Sequence, residues 1–259
     1  MNSSDAKILE QLRLLKTITL DEMSSIKLMN RLDTKYVTTK KKLCQLLQLV
    51  HGKYYVQETN GDLISPYRTT YFDTPSHAMY MQHHSGHCNR KKVRVRTYLS
   101  SGDLTFLEVK NKNNHGRTKK KRVRVGGLDT FRDEEGTRDF VAKHALFELD
   151  DLEQMVQNEF DRVTLVNYGK TERLTIDFNV QFHNYETGQE SNTGELVIIE
   201  LKRDGNVFSP ICNLLRDLHI HPSGFSKYCI GTVLTNPGIK HNNFKERVRY
   251  VSRFIRVKN

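Results

Sequence analysis

The sequence is short of the features that would place it in several common classes. Its four cysteines (Cys44, Cys88, Cys212 and Cys229) are scattered and form no CxxC pair. That excludes a disulfide framework or a zinc ribbon and fits a reducing compartment. No apolar run approaches the roughly 20 residues of a membrane-spanning helix. The opening residues, Met1-Asn2-Ser3-Ser4-Asp5, have neither the basic nor the apolar stretch of a secretory signal. No internal repeat or linker divides the 259 residues into two domains. Hydrophobic residues make up only 37%, below the usual globular share. With 12 Phe and 11 Tyr, global disorder is still excluded. The expectation is one cytoplasmic domain over residues 1–259.

What the chain has instead is ordered positive charge. It carries 41 Lys and Arg against 30 Asp and Glu, a formal net charge of +11. The default partner is therefore anionic: nucleic acid, a membrane surface or a phosphorylated small molecule. In Arg117-Thr118-Lys119-Lys120-Lys121-Arg122-Val123-Arg124, Val93-Arg94-Val95-Arg96, Glu108-Val109-Lys110 and Glu200-Leu201-Lys202, charges recur at alternate positions. In a strand this puts charges on one face and aliphatic side chains on the other. Several such strands make a surface of ordered cations with an occasional carboxylate, suited to a polyanion and a metal ion.

Apolar spacing predicts helix over residues 5–29, 40–51, 130–157 and 209–218, a short helix to about Gln82 capped by Asp73-Thr74-Pro75, and a basic helix over 244–257. Alternation predicts strands at 31–37, 69–72, 92–99, 104–111, 118–125, 161–167, 172–182 and 195–203. Mostly antiparallel strands with helical insertions indicate an α+β barrel. Val197, Ile199 and Leu201 oppose Glu200 and Lys202; Leu174, Ile176 and Phe178 oppose Arg173, Thr175 and Asp177. Two arrangements satisfy this pattern. One is an ordinary sheet with its polar face in water. The other is a closed sheet with apolar side chains outward under helices and charges lining a lumen wide enough for one small ligand. Like charges 4 Å apart repel by roughly 4 kcal/mol at an effective dielectric near 20, so such a lumen must stay wet and hold anions.

The ordered set Arg94-Val95-Arg96, Glu108-Val109-Lys110, Arg173 to Asp177, Glu200-Leu201-Lys202 and Phe225-Ser226-Lys227-Tyr228 resembles the VTC domain. This is the polyphosphate polymerase branch of the triphosphate tunnel (CYTH) superfamily. Asn30-Arg31-Leu32-Asp33-Thr34-Lys35-Tyr36 and Tyr71-Phe72-Asp73-Thr74-Pro75 precede it in the family's order. The resemblance spans a core of about 25–235, between an N-terminal helical segment (1–29) and a C-terminal basic helix (about 240–259). It implies an eight-stranded, mostly antiparallel β-tunnel with a charged interior covered by helices. By resemblance the chain transfers the ATP γ-phosphate to inorganic polyphosphate with Mn²⁺ or Mg²⁺. A tunnel-type triphosphatase and a non-catalytic polyphosphate-binding module are the alternatives.

The resemblance implies catalytic roles for Lys110, Arg162, Arg173, Lys202 and Lys227. It implies phosphate binding by Arg31, Lys35, Arg94, Arg96, Lys119, Lys121 and Ser226, and metal binding by Glu200 and Glu108. Parity is read as turning Lys119 and Lys121 to the ligand, either one being the family's strand-borne lysine, and Lys120, Arg122 and Arg124 away from it. Gly224 stands where close family members have a lysine, and Arg31-Leu32-Asp33-Thr34-Lys35 replaces the Glu-x-Glu-x-Lys strand of other tunnel enzymes. With fewer carboxylates, metal binding leans on phosphate oxygens.

The partners expected are ATP, inorganic polyphosphate or another triphosphate, with nucleic acid disfavoured. Any translocating membrane protein is expected to be a separate chain, and a peripheral membrane position stays open for the basic C-terminal helix. His83-His84-Ser85-Gly86-His87-Cys88 fits no common zinc spacing and reads as a surface loop. Asp177 is open between metal support and an ion pair.

Overall fold

A computed structural model describes residues 3–24, 31–113, 118–205 and 209–255. The first elements are α1 (Ser3–Arg13), β1 (Lys16–Ile18), α2 (Leu20–Ser24), β2 (Arg31–Thr39), α3 (Lys40–Leu49) and β3 (Tyr54–Gln57). Next come β4 (Ser65–Asp73), α4 (Ala78–His84), β5 (Arg90–Tyr98), β6 (Leu104–Lys112), β7 (Thr118–Val125) and α5 (Thr137–Ala145). The chain continues through β8 (Glu153–Asn167), β9 (Glu172–Asn184), β10 (Glu190–Asn192) and β11 (Leu196–Asp204). It ends with α6 (Pro210–Asp217), α7 (Lys227–Thr235) and α8 (Lys245–Ser252).

Eight strands run in the order β2-β11-β9-β8-β4-β5-β6-β7, each antiparallel to its neighbours. β1, β3 and β10 extend the sheet at its margins. Among the described residues β2 and β7 do not pair, so no ladder closes the ring. The sheet nonetheless curls on itself. Lys110 of β6 lies within electrostatic reach of Lys35 on β2 and Glu200 on β11, near the opposite end of the strand order.

Helices cover the convex side. Ile8 and Leu12 of α1, Leu43, Leu46 and Leu47 of α3, and Ile211 and Leu215 of α6 pack on Val163, Leu165, Leu174, Ile176, Val197, Ile199 and Leu201. Met79 of α4 and Val141 and Ala145 of α5 pack on Val93, Val95, Leu107 and Val109. The aliphatic parity of the strands therefore faces outward, which selects the tunnel over the open sheet.

Two helical expectations are corrected. The span 5–29 is broken by β1, because the β-branched run Thr17-Ile18-Thr19 favours extended backbone. Thr19 then opens α2 with a reciprocal cap: its backbone N–H and hydroxyl donate to Glu22 at 2.8 and 2.9 Å, and the Glu22 N–H donates to its hydroxyl at 3.3 Å. Residues 25–30 of that span lie outside the described residues. The span 130–157 is α-helical only in α5, bounded by positive φ at Gly136 and Leu146, with a single 3-10 turn at Leu149–Asp151. Its last residues start the 15-residue β8 instead.

Candidate functional site

The concave face changes character along single strands. On β11, Glu200 and Lys202 share a face with Leu196 and Ile198, which join an apolar cluster. On β9, Arg173, Thr175 and Asp177 share the inner face, and a register shift against β8 follows. Asn179 takes a left-handed φ of 53° there, which asparagine tolerates better than most residues. Beyond it the parity flips, and Val180 and Phe182 point inward. A buried polar network fixes that bulge. Lys40 donates to Asn179 Oδ1 at 2.5 Å and pairs with Asp5 at 2.6 Å, and Asn179 donates to Asp161 at 2.8 Å.

Tyr228, Cys229, Ile230 and Val233 of α7 fill the apolar end of the tunnel. The N-terminus of α7 is thereby delivered to the charged part. Ser226 caps it, accepting the Cys229 N–H at 3.2 Å, and also accepts from Lys92 Nζ at 2.8 Å. Lys35 donates to the Phe225 carbonyl at 3.1 Å. The segment 225–227 thus bridges β2 and β5 across the tunnel.

Asp177, Glu108 and Glu200 organise the cations around them. Asp177 accepts two hydrogen bonds from Arg162, at 2.6 and 2.8 Å, and one from Lys227. Glu108, fully buried, is paired with Arg94 and at 2.9 Å with Lys120. Both acids sit in burial that would raise their pKa. Arg94, Arg96 and Lys120 hold Glu108 well below the usual range, and Arg162 and Lys227 do the same for Asp177. Glu200 is different: its near partner is Lys202 at 3.3 Å, and its side chain keeps 22% exposure. Burial opposes its ionisation, but Lys202, Lys35, Lys110 and Arg162 hold it well below the ordinary value.

The cations respond in turn. Lys110 is pushed well down, first by Arg94, then by burial and Arg96. Burial brings Lys202 and Lys227 to about 8 against the pull of Glu200 and Asp177. Tyr71, whose burial would raise it, is brought to about 8 by Arg94, Arg96, Lys92 and Lys227. Crowded like charge is relieved by an incoming polyanion.

Among the described residues no group of three His, Cys, Asp or Glu side chains is placed to hold a metal. A complete protein cage is therefore absent from them. Glu200 nevertheless has a helper. Its cross-strand neighbour Thr175 is 6% exposed, and the Thr175 hydroxyl has no hydrogen-bond partner. One carboxylate and one free hydroxyl beside a cationic surface suit Mg²⁺ or Mn²⁺, which are commonly bound by one or two carboxylates plus substrate phosphates. Glu108 does not fit the metal role expected of it, because Arg94 and Lys120 occupy both of its oxygens.

The structure brings Lys35, Arg94, Arg96, Lys110, Arg162, Arg173, Glu200, Lys202, Ser226 and Lys227 to one concavity. Arg31 begins β2, but its side chain lies outside the described residues, as does all of Arg117. Lys119 and Lys121 are corrected. The β6–β7 register sets Lys120 against Lys110 and Arg122 against Glu108, so Lys120, Arg122 and Arg124 face inward. Lys119 and Lys121 share the outer face with Val123, which packs on the outer core. Lys92 was missed although it continues the alternation of Arg94 and Arg96. The residues 83–88 are not simply a surface loop: His83 and His84 belong to α4, and His83 Nδ1 lies 2.9 Å from the Cys229 thiol.

Comparison with known proteins follows this geometry. The Bacillus halodurans protein bh2851, described as a candidate adenylate cyclase, aligns over 76% of this chain and 96% of its own, with TM-score 0.51 and 13% identity. Hippeastrum HpAC1, described as a candidate adenylyl cyclase with a dominant triphosphatase activity, aligns over 83% of this chain and 100% of its own, with TM-score 0.49 and 14% identity. No curated protein matches the chain. The VTC domain family matches residues 30–236. With an antiparallel tunnel charged within and apolar without, the chain belongs to the VTC domain family and has the triphosphate tunnel (CYTH) fold.

Proposed function

We propose that the chain binds a triphosphate in its basic tunnel together with a divalent ion and transfers the γ-phosphate of ATP to a growing polyphosphate chain. The observation that carries this reading is the division of labour among the inner carboxylates. Asp177 and Glu108 are consumed by cations, and Glu200 is held ionised beside Lys110, Lys35 and Lys202. None of these three carboxylates is poised as a base near neutral pH. The His83 imidazole is driven far down by burial, Lys92 and Arg90.

Such a surface suits a transfer whose acceptor is already an anion. The bond from the γ-phosphorus to the β,γ-bridging oxygen breaks, and ADP leaves with that electron pair. An ionised oxygen of the terminal phosphate of the acceptor chain forms the new bond, so no proton has to be removed. Arg94, Arg96, Arg162 and Arg173 would hold and align phosphate oxygens by forked hydrogen bonds. Lys110, Lys202 and Lys227 would neutralise developing charge as compact point charges. Glu200 and Thr175 would hold the divalent ion, which supplies charge neutralisation across adjacent phosphates.

The test is incubation of the purified protein with ATP and Mn²⁺. Phosphate chains with ADP support the proposal; ADP and orthophosphate alone overturn it in favour of hydrolysis, and salt-sensitive binding without turnover marks a binding module. Among the described residues no helix is long and apolar enough to cross a membrane. A cytoplasmic or membrane-peripheral position is part of the same proposal.

A further inference from the structure

Tyr71 of β4 stands at the junction of the apolar and charged parts of the tunnel, and the transfer described above leaves it unused. Its ring belongs to the apolar cluster and stacks on Tyr228 of α7 with centroids 5.2 Å apart. Its hydroxyl lies on the charged side. Tyr71 is directly opposite Arg94 across the β4–β5 ladder, and Arg94 Nη1 donates to the hydroxyl oxygen at 3.4 Å. The other charged neighbours are cations as well. β5 brings Lys92 and Arg96 and α7 brings Lys227, whereas the residue opposed on β8 is the neutral Val156. Tyr71 is 6% exposed, against 5% for Arg94 and 7% for Arg96, so it sits no deeper than the two arginines.

The hydroxyl hydrogen is what these contacts leave over. A buried phenol ordinarily gives its hydrogen to an acceptor. Tyr228 donates to Asp73 at 2.6 Å, and Tyr80 donates to the Lys240 carbonyl at 2.8 Å. Tyr71 only accepts; no acceptor for its own hydrogen is in place among the described residues. A hydroxyl that merely steadied Arg94 would turn that hydrogen to an oxygen of the protein. Ringed by cations, it meets instead the place where an anion would supply the oxygen. We infer that Tyr71 is a further phosphate-contacting residue, its O–H donating to an oxygen of the phosphate held by Arg94 and Arg96. The inference rests on the triphosphate reading of the tunnel and adds a neutral donor to its cations. Unlike an arginine, such a donor titrates. Burial would raise the phenol, but Arg94, Arg96, Lys92 and Lys227 bring it to about 8, whereas burial moves Tyr67 and Tyr80 upward. A phosphate oxygen stabilises the protonated phenol, so binding above that pH returns a proton to Tyr71.

Tripolyphosphate titrated calorimetrically with Mg²⁺ into the full chain and into Tyr71→Phe tests this, at pH values on either side of about 8. The substitution removes one oxygen and keeps the ring. Below pH 8 the variant is expected to bind roughly fivefold to 20-fold more weakly, with an unchanged melting temperature. Above about pH 9 the gap is expected to close, because the wild-type phenolate then repels the anion. Near-ultraviolet absorbance of free wild type at about pH 8.5 is expected to show tyrosinate, which disappears when tripolyphosphate is added. No loss of affinity in Tyr71→Phe, or a gap of the same size at every pH, overturns the inference. So does free wild type without tyrosinate at that pH, or tyrosinate that tripolyphosphate leaves in place. Both absorbance readings stand even if the variant fails to fold. Wild type that binds no tripolyphosphate overturns the underlying tunnel reading instead, so the two failures are distinguishable.

Discussion

One end of the concave face is built to be dry and the other to be filled with anion, although both lie on the same strands. At the dry end Ile198, Val180, Phe182 and Tyr71 meet Tyr228, Ile230 and Val233 of α7. At the wet end Glu200, Arg173, Arg162, Arg94 and Lys110 face one another, with opposite charge too scarce to balance them. The dry end gains stability from burial, roughly 25 cal/mol per Å² of apolar surface. The wet end spends stability to hold like charges together until a ligand arrives. The boundary is the Asn179 bulge, and Lys227 at the α7 N-terminus donates to Asp177 on its charged side. What stabilises this fold and what equips it for phosphate are therefore separable.

The largest expected effect falls on Glu200, which pairs with Lys202 and not with an arginine. Glu200→Gln should lower turnover of ATP by about 100-fold or more, while tripolyphosphate binding persists or tightens; steady-state kinetics beside calorimetry would show it. Unchanged turnover removes Glu200 from the site.

A pair of arginine substitutions comes next. Arg96 donates to Thr69 at 3.0 Å, and no carboxylate pairs with it among the described residues. Arg96→Ala should therefore weaken tripolyphosphate by roughly 10- to 100-fold with little change in melting temperature. Arg94→Ala should weaken binding similarly and also destabilise by about 3 kcal/mol, because buried Glu108 loses its main partner. Equal melting temperatures for the two variants would break the distinction.

At the dry end, a Cβ added at Gly231 would lie 2.5 Å from the Phe182 ring and 3.1 Å from Val156. Gly231→Ala should cost about 1–3 kcal/mol in denaturant titration and leave tripolyphosphate affinity unchanged in the folded protein. Loss of affinity without loss of stability would show that the two ends are not separable.

Rising pH should move stability and ligand affinity in opposite directions. Lys202 and Lys227 have pKa values near 8 in the fold against 10.5 ordinarily. Their depressed values mean that the unfolded chain binds more protons, so stability of the free protein should rise between about 8 and 10.5. Their loss of charge, with ionisation of Tyr71 near 8, should weaken tripolyphosphate between pH 7 and 9. Thermal melts with and without the ligand read both trends, and a ligand-induced shift that fails to shrink would contradict the second.

The smallest effect separates the two faces of β7. Lys120→Ala should weaken tripolyphosphate by roughly threefold, and Lys121→Ala should leave it unchanged. The reverse result would restore the outward lysines to the site.

Much of the inner face was legible in the sequence. Alternation within β5, β6, β9 and β11 grouped Arg94 with Arg96, Glu108 with Lys110, Arg173 with Asp177, and Glu200 with Lys202. The ordered motifs named the tunnel family before any coordinate. The misreading of β7 was avoidable in part: Val123 and Val125 mark its aliphatic parity, which also carries Lys119 and Lys121. The role of Glu108 was not legible, since its consumption depends on a neighbour from β5 and a diagonal partner from β7. Nor was the setting of Tyr71, whose hydroxyl meets Arg94 of β5 while its ring stacks on Tyr228 of α7.

By itself the sequence determined which residues of each strand share a face, because a side-chain period of two is local. It also determined the sign of the ligand, since net charge needs no fold. Only the tertiary structure decided which face lies inside, where the inner face turns from charged to apolar, and which carboxylates the arginines pair with. Those outcomes depend on strand register, on the bulge at Asn179 and on the seating of α7. Each is set by pairing between residues far apart in the chain, and no local pattern encodes it.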